Sequence, residues 1–428
     1  AAVAAAGAEP AAPAGTDLSS LLQQPPLLAK ADSQAPAPAE GRPHVIGLRR
    51  ESVPIYRRGK VASFKTSYSG VLNIGTPAQE FRVVFDTGSG HIVLPASECK
   101  SEACLVHQRY NMTASETAVA INSDGTEVQQ GELSDQVTIG FGTGEVTGEF
   151  AKDRVCFGDA PAPAGTPSSA PAAGDEEGAA ANLPALASTA TAEELCVEMH
   201  VLVAVEMSTQ PFKSFRFDGI LGLGLDALAM SKEFSAFDVL SRSGHLAAPR
   251  FGVFLTEGED GEESEIAFGG VDERRLLEPL HWAPVTMPDL GYWLVDIVAV
   301  RVNGRTLSVC EDGGCRGVVD TGTSHWGVPA PFDKEIAELL TTDAGSLLDC
   351  RLAEAPEVEI ELPGYNLTLH PFNYMRRLPL REGVTVGSAQ GVYVPSNETN
   401  ATLGGPAPDT VAPAAQGQPA AGASPGGG

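Results

Sequence analysis

The feature that most constrains this chain is a repeat. "VFDTGSGHIVLPA" (Val84–Ala96) returns as "VVDTGTSHWGVPA" (Val318–Ala330), which puts Asp86 and Asp320 234 residues apart. Asp, Thr, Gly, His, Pro and Ala recur in register, and Ser89 is answered by Thr323. The spacing is far longer than a solenoid repeat, so the pattern marks two similar lobes that each contribute one aspartate. Each aspartate follows an apolar, strand-like run, where an isolated charge is costly. A carboxylate is tolerable there if a second one shares its proton.

Two carboxyls held in contact do not both ionise easily. Repulsion raises one pKa, so the pair keeps a single proton over a broad acidic range. Such a pair is base and acid at once: one member deprotonates a water while the other polarises a carbonyl. That chemistry hydrolyses a peptide bond without a metal or a covalent intermediate. The neighbours suit it. Gly88 and Gly322 permit a tight turn and a close backbone approach. Ser89 and Thr323 carry hydroxyls for the outer carboxylate oxygens, and Thr87 and Thr321 can hydrogen-bond from turn to turn. A lone Asp-Thr-Gly is a weak signal; two copies in the same context are a strong one.

The rest of the chain reads as mostly β. From Tyr68, "YSGVLNIGTPAQEFRVVFDTGSG" alternates between apolar and polar residues and is punctuated by Gly-Thr-Pro. The 47 Gly and 32 Pro fit turn-rich sheets, and a 43% hydrophobic content supplies large cores. Residues 1–41 are Ala/Pro-rich and read as disordered, as do an insertion over 157–195 and the tail 396–428. The N-terminal lobe is placed at 66–252 and the C-terminal lobe at 253–395. Residues 42–65 hold seven basic residues and one acid, Glu51, in a chain of formal net charge −27. They read as a basic, propeptide-like segment that docks on an acidic body. The negative charge argues against nucleic acid as a partner, and no apolar run is long enough to span a membrane.

Cysteines fall at 99, 104, 156, 196, 310, 315 and 350, and sequons at Asn111, Asn366, Asn397 and Asn400. Close cysteine pairs and sequons together favour an oxidising, secretory setting. "GFGTG" lacks the remainder of any phosphate-loop pattern and is not read as one. His91 and His325 read as packed, hydrogen-bonded side chains, and Trp282, Trp293 and Trp326 as core or cleft wall.

From about Tyr68 to Pro395 the chain resembles the pepsin-like aspartic proteases. The resemblance rests on "IGTPAQEFRVVFDTGS", the short Cys99–Cys104 loop followed by His-Gln-Arg-Tyr, "GFGTGEVTGEF", "FDGILGLG", "IAFGGVD", "LHWAPV", "GYWLVDI" and "CEDGGCRGVVDTGTS". It implies a bilobal fold of two β-barrel-like lobes with a cleft between them and a hairpin flap above it. It implies Asp86 and Asp320 as the catalytic dyad, a flap carrying Phe141, Gly142 and Thr143, and an inhibitory propeptide near 42–65. It also favours the disulfides Cys99–Cys104, Cys310–Cys315 and Cys156–Cys196, with Cys350 left over. The alternative use of Cys99, Cys104, Cys310 and Cys315 is a four-thiolate zinc site.

Departures from the family sharpen the expectations. The family has Tyr where Phe141 aligns and Trp where Val93 stands, and those two hydrogen-bond to each other. Their joint replacement predicts a loosened flap. The family's C-terminal apolar run ending in Leu-Gly-Asp has only a poor counterpart in "ATLGGPAPD" (Ala401–Asp409), so the C-terminal lobe is expected to be incomplete. The resulting reading is a monomeric aspartic endopeptidase acting on peptides or proteins at acidic pH. It uses no cofactor and no metal, and resides in the secretory pathway, secreted or in an acidic vacuolar or lysosomal compartment. The competing reading is a non-catalytic peptide-binding protein of the same fold.

Overall fold

The computed structural model describes residues 2–6, 42–57, 60–142, 144–158, 195–257, 261–311, 313–343, 347, 349–375, 385–386 and 393–394. The expected disordered stretches, apart from residues 2–6, 157–158 and 195, lie outside these residues, as does "ATLGGPAPD". The chain divides into two compact units. One takes in residues up to 341 together with 356–370, the other 342–355 and residues from 371 onward.

The first unit is dominated by a twelve-stranded sheet. In chain order its strands are β1 (Ala2–Ala6), β2 (His44–Arg57), β3 (Lys60–Ile74), β4 (Gln79–Asp86), β5 (Ile92–Pro95) and β6 (Val119–Ile121). They continue as β7 (Val137–Phe141), β8 (Gly144–Phe157), β9 (Leu195–Met207), β10 (Gly219–Gly222), β11 (Arg250–Phe254) and β12 (Ser264–Phe268). The spatial order is β1-β11-β12-β2-β3-β4-β10-β5-β9-β8-β6, with β7 on β8. Strand β3 also pairs with β8, Leu72 opposite Phe157 and Ile74 opposite Val155. That extra pairing closes β3, β4, β10, β5, β9 and β8 into a ring, which removes their edges. Leu72, Ile74, Phe81, Leu94, Val201 and Leu221 fill it and are buried. Each such side chain contributes about 1.5–3 kcal/mol relative to exposure.

Beyond the ring, an aromatic chain extends the core. Phe85 and Phe157 both meet Phe268, and Phe251 meets Phe237 and Trp293. This packing explains why β11 runs straight through the lobe boundary expected at 252/253: Phe251 and Val253 are buried on either side of it. The basic segment is likewise part of the sheet. Strand β2 pairs with β3 on one side and β12 on the other, burying Ile46 and Leu48. Its Arg50 reaches an acidic residue of the body, Glu257, at 3.3 Å.

The later part of this unit has smaller sheets. Strand β13 (Leu294–Asp296) pairs with β16 (Arg316–Val318). Strands β14 (Ala299–Val302), β15 (Arg305–Thr306), β17 (Val358–Leu362) and β18 (Tyr365–Leu369) form a sheet ordered β15-β14-β17-β18. In the second unit, the Arg351 guanidinium pairs with Asp349 at 2.6 Å and lies over the Phe372 ring. Two short strands there, Thr385–Val386 and Tyr393–Val394, pair antiparallel. The mostly β class expected from the sequence is the one observed.

Three disulfides are formed: Cys99–Cys104, Cys156–Cys196 and Cys310–Cys315; Cys350 is a free thiol. Four of these thiols are thereby withdrawn from the zinc alternative. Cys156 and Cys196 stand directly opposite each other on β8 and β9, so the bond clasps the base of the insertion.

Candidate active site

Strand β4 delivers Asp86 from a run of buried residues, Val83, Val84 and Phe85. Strand β10 lies parallel beside β4, with Gly222 level with Asp86, and antiparallel to β5, with Ile220 opposite Val93. The backbone N–H of Leu223 donates to the Asp86 carbonyl at 2.8 Å. The glycines of "FDGILGLG" are required by closeness. A Cβ at Gly222 would stand 2.5 Å from the His91 nitrogen.

Strand β16 leads into the second aspartate, and the two turns meet. The N–H of Gly88 donates to Asp86 Oδ1 at 2.9 Å, and that of Gly322 to Asp320 Oδ1 at 2.8 Å. Thr323 Oγ1 donates to Asp320 Oδ2. Between the turns, Thr87 N–H donates to Thr321 Oγ1 at 3.1 Å and Thr321 N–H to Thr87 Oγ1 at 2.9 Å. Each threonine hydroxyl then donates onward, Thr87 to the Val319 carbonyl and Thr321 to that of Phe85. Each turn is therefore held by the backbone of the other. A Cβ at Gly88 would stand 2.7 Å from Asp320 Oδ2, and one at Gly322 would collide with the Asp86 carboxyl.

The two turns bring each carboxyl against the glycine of the other turn. Burial pushes the Asp86 carboxyl up to about 6, and the Asp320 charge pushes the same way. The Ser89 hydroxyl and Gly88 N–H oppose the rise. Ser89 Oγ is buried and lies near Asp86 without reaching good hydrogen-bond geometry to any partner, unlike Thr323 on Asp320.

Among the other expected residues, His91 is buried and accepts from the Met230 N–H at 3.1 Å. Burial lowers its pKa to about 4. His325 is exposed, contrary to the packed role expected of it. Trp293 is core, its indole donating to the Leu223 carbonyl at 2.7 Å, but Trp282 and Trp326 are 52% and 45% exposed.

Strands β7 and β8 form the expected hairpin, closing at Phe141 opposite Gly144, with Gly142 at φ 59°. Thr143 lies outside the described residues. Phe141 is not without a partner: its ring packs edge-on against Phe212, 6.1 Å between centroids. Val93 and Phe212 line one small apolar cavity. Sequence reasoning missed Phe212, which gives no signal beyond being one aromatic in a loop. It also missed Ser324, whose hydroxyl donates to the Thr66 carbonyl at 2.6 Å and ties the second turn to β3. Of the sequons, Asn366 is exposed on β18, whereas the Asn111 side chain is folded onto Thr113; Asn397 and Asn400 lie outside the described residues.

Paired aspartates on mirror-like turns coincide with a family match. The family model for eukaryotic aspartyl proteases covers residues 67–166 and 186–393. The chain belongs to that family. The bilobal pepsin-like fold implied by the sequence stands with it. The aspartyl protease is 30% identical to cathepsin E of Rattus norvegicus over 314 residues, which is 72% of this chain and 66% of that protein. It is 30% identical to cathepsin E of Mus musculus over 77% of this chain and 72% of that protein. Vacuolar protease A of Aspergillus fumigatus is 29% identical over 77% of this chain and 70% of its own length. The chain therefore spans about two thirds of the length of the curated relatives it matches. No helix among the described residues is long and apolar enough to cross a membrane.

Proposed function

We propose that this aspartyl protease is an endopeptidase that hydrolyses peptide bonds with a water activated between Asp86 and Asp320. The observation that carries the reading is the meeting of the two turns, where each threonine bonds the other's backbone and each glycine lies against the other turn's carboxyl, with Asp86 raised to about 6 by burial. Over acidic pH the pair holds one proton. The ionised carboxyl takes a proton from water as its oxygen attacks the scissile carbonyl carbon. The protonated carboxyl gives its proton to the carbonyl oxygen, forming a neutral gem-diol. On collapse, one carboxyl returns a proton to the amide nitrogen while the other, ionised, takes one from a gem-diol hydroxyl; the C–N bond breaks, acid and amine leave, and the pair again holds one proton. Thr87 and Thr321 keep both carboxyls in place while the protons move.

Peptides or unfolded proteins are the substrates of this reading. Three disulfides and a relative named vacuolar protease A support a secreted or acidic vacuolar or lysosomal setting. The exposed Asn366 is the best placed of the glycan acceptors. Residues 42–65 act as a propeptide-like segment, and the Arg50–Glu257 pair ties that segment to an acidic residue of the body. The test is cleavage of an unfolded protein at about pH 4 by the full chain, with a transition-state-mimic inhibitor as control. Inhibitor-sensitive cleavage is expected. Peptide binding without cleavage would favour the non-catalytic reading instead.

A further inference from the structure

The hairpin's position has an unusual support. Phe141 and Val93 cannot hydrogen-bond to each other through their side chains. The hairpin nonetheless rests on the chain segment between β9 and β10 at three points. Phe141 meets the ring of Phe212 edge-on, with 80° between planes. Gly144 lies so close that a Cβ would stand 2.6 Å from Pro211 Cδ and 2.9 Å from the Gln210 carbonyl oxygen. The N–H of Glu145 donates to Ser208 Oγ at 3.0 Å, and the Ser208 N–H donates back to the Glu145 carbonyl at 3.0 Å.

That segment is itself anchored. Phe212 is buried, and its carbonyl bonds the His107 Nε2 at 3.0 Å. His107 in turn stands beside Asp218, whose carboxylate accepts the backbone N–H groups of Arg82 and Gln108. Asp218 immediately precedes β10, the strand whose Gly222 lies level with Asp86.

We propose that residues 208–214 are the seat of the flap, with Phe212 as a positioning residue that holds Phe141 by ring packing. The seat links the hairpin to the strand beside Asp86, so flap position and the first aspartate share one support. An edge-to-face ring pair is attractive beyond the area it buries, so Phe212 can hold Phe141 without a hydrogen bond. The functional consequence rests on the endopeptidase reading above; the seat itself does not.

Hydrogen exchange on the 428-residue chain tests it without any need for catalysis. Phe212→Ala and Gly144→Ala are expected to speed exchange of the amides from Val137 to Gly148 about tenfold, leaving those of Val83–Phe85 unchanged. Phe141→Ala should match them, Phe141→Tyr, which keeps the ring, should retain wild-type protection, and Phe141→Ala with Phe212→Ala should add nothing further. Unchanged hairpin protection in Phe212→Ala overturns the proposal. Should Phe212→Ala also release Val83–Phe85, Gly144→Ala decides alone, because its added methyl acts only at the hairpin contact. In a proteolysis assay of the same chain these variants should raise KM about tenfold with a smaller change in kcat. A chain that protects its hairpin as described but cleaves nothing keeps the seat and loses the endopeptidase reading.

Discussion

The first copy of the Asp-Thr-Gly repeat is core, and the second is largely surface. Val84 is 5% exposed and its counterpart Val318 46%; Ile92 is 1% exposed and Trp326 45%. His91 is buried and His325 exposed. The local sequence is nearly the same, so the motif does not specify its own burial. Strand β10 does. It slots between β4 and β5 and covers the first copy, whereas among the described residues β16 pairs only with β13, and residues 319–330 form no strand. What the two copies do share is the turn. In both, the glycine N–H binds the aspartate and the threonine reaches across. The motif encodes carboxylate placement, and a distant strand supplies the low-dielectric setting.

The most severe test asks whether both copies are needed in spite of that difference. Asp86→Asn and Asp320→Asn should each lower kcat by about a thousandfold or more in the complete protein, because either change removes the shared proton. Steady-state proteolysis at acidic pH checks this, and near-normal turnover in one of them would mean that the copies are not partners.

Core packing should separate the copies next. Ile92→Ala is expected to cost about 2–5 kcal/mol in urea unfolding, as for a buried large-to-small change. Trp326→Ala should stay within about 0.5–1 kcal/mol on the same assay. Equal costs would show that the second copy is covered in solution.

The pH dependence of stability gives a subtler contrast. Asp86 has a folded pKa raised to about 6, so its contribution is fully present below its unfolded value of 3.8 and is lost as pH rises through about 6. His91 has a folded pKa lowered to about 4 from 6.5, so its contribution is present above 6.5 and lost as pH falls through about 4. Between about pH 4 and 6 the two oppose each other, each on the order of 2–3 kcal/mol. Asp86→Asn should therefore expose a decline in stability on acidification over that window, and adding His91→Gln should flatten it. Thermal or urea unfolding at half-unit pH steps reads the slopes; a slope that His91→Gln leaves unchanged would assign it to another group.

The smallest effect concerns the short disulfide loops, one following the first copy and one preceding the second. On the loop-entropy account each contributes about 2 kcal/mol, against about 4 for Cys156–Cys196. Replacing Cys99 and Cys104 or Cys310 and Cys315 by serines should thus cost similar amounts, measured by urea unfolding. A much larger cost for the first pair would mean that burial of Cys99 and Cys104, rather than chain entropy, dominates.

Much of the site was legible because its logic is local. An apolar run, an aspartate, a glycine and a hydroxyl residue fix a turn whatever surrounds it, and their recurrence announced a pair. The β class followed from alternation and turn residues, and the three cysteine pairings from a resemblance. The basic segment was legible as charge but not as a strand, because its buried pair, Ile46 and Leu48, is brief. The loosened flap expected from Phe141 and Val93 did not reckon with the Phe212 ring, which is distant in sequence and which nothing nearby marks as a contact.

By itself, then, the sequence determined which groups the two turns bring together: two carboxyls, two glycines that allow their approach, and two threonines able to cross-link them. Only the tertiary structure decided the environment of each. It placed β10 over the first aspartate and not the second, put His91 inside and His325 outside, and gave Phe141 a ring to rest on. The physical reason is range. A turn is set by a few neighbouring residues, whereas burial, and with it the pKa of Asp86, depends on strands brought from more than a hundred residues away.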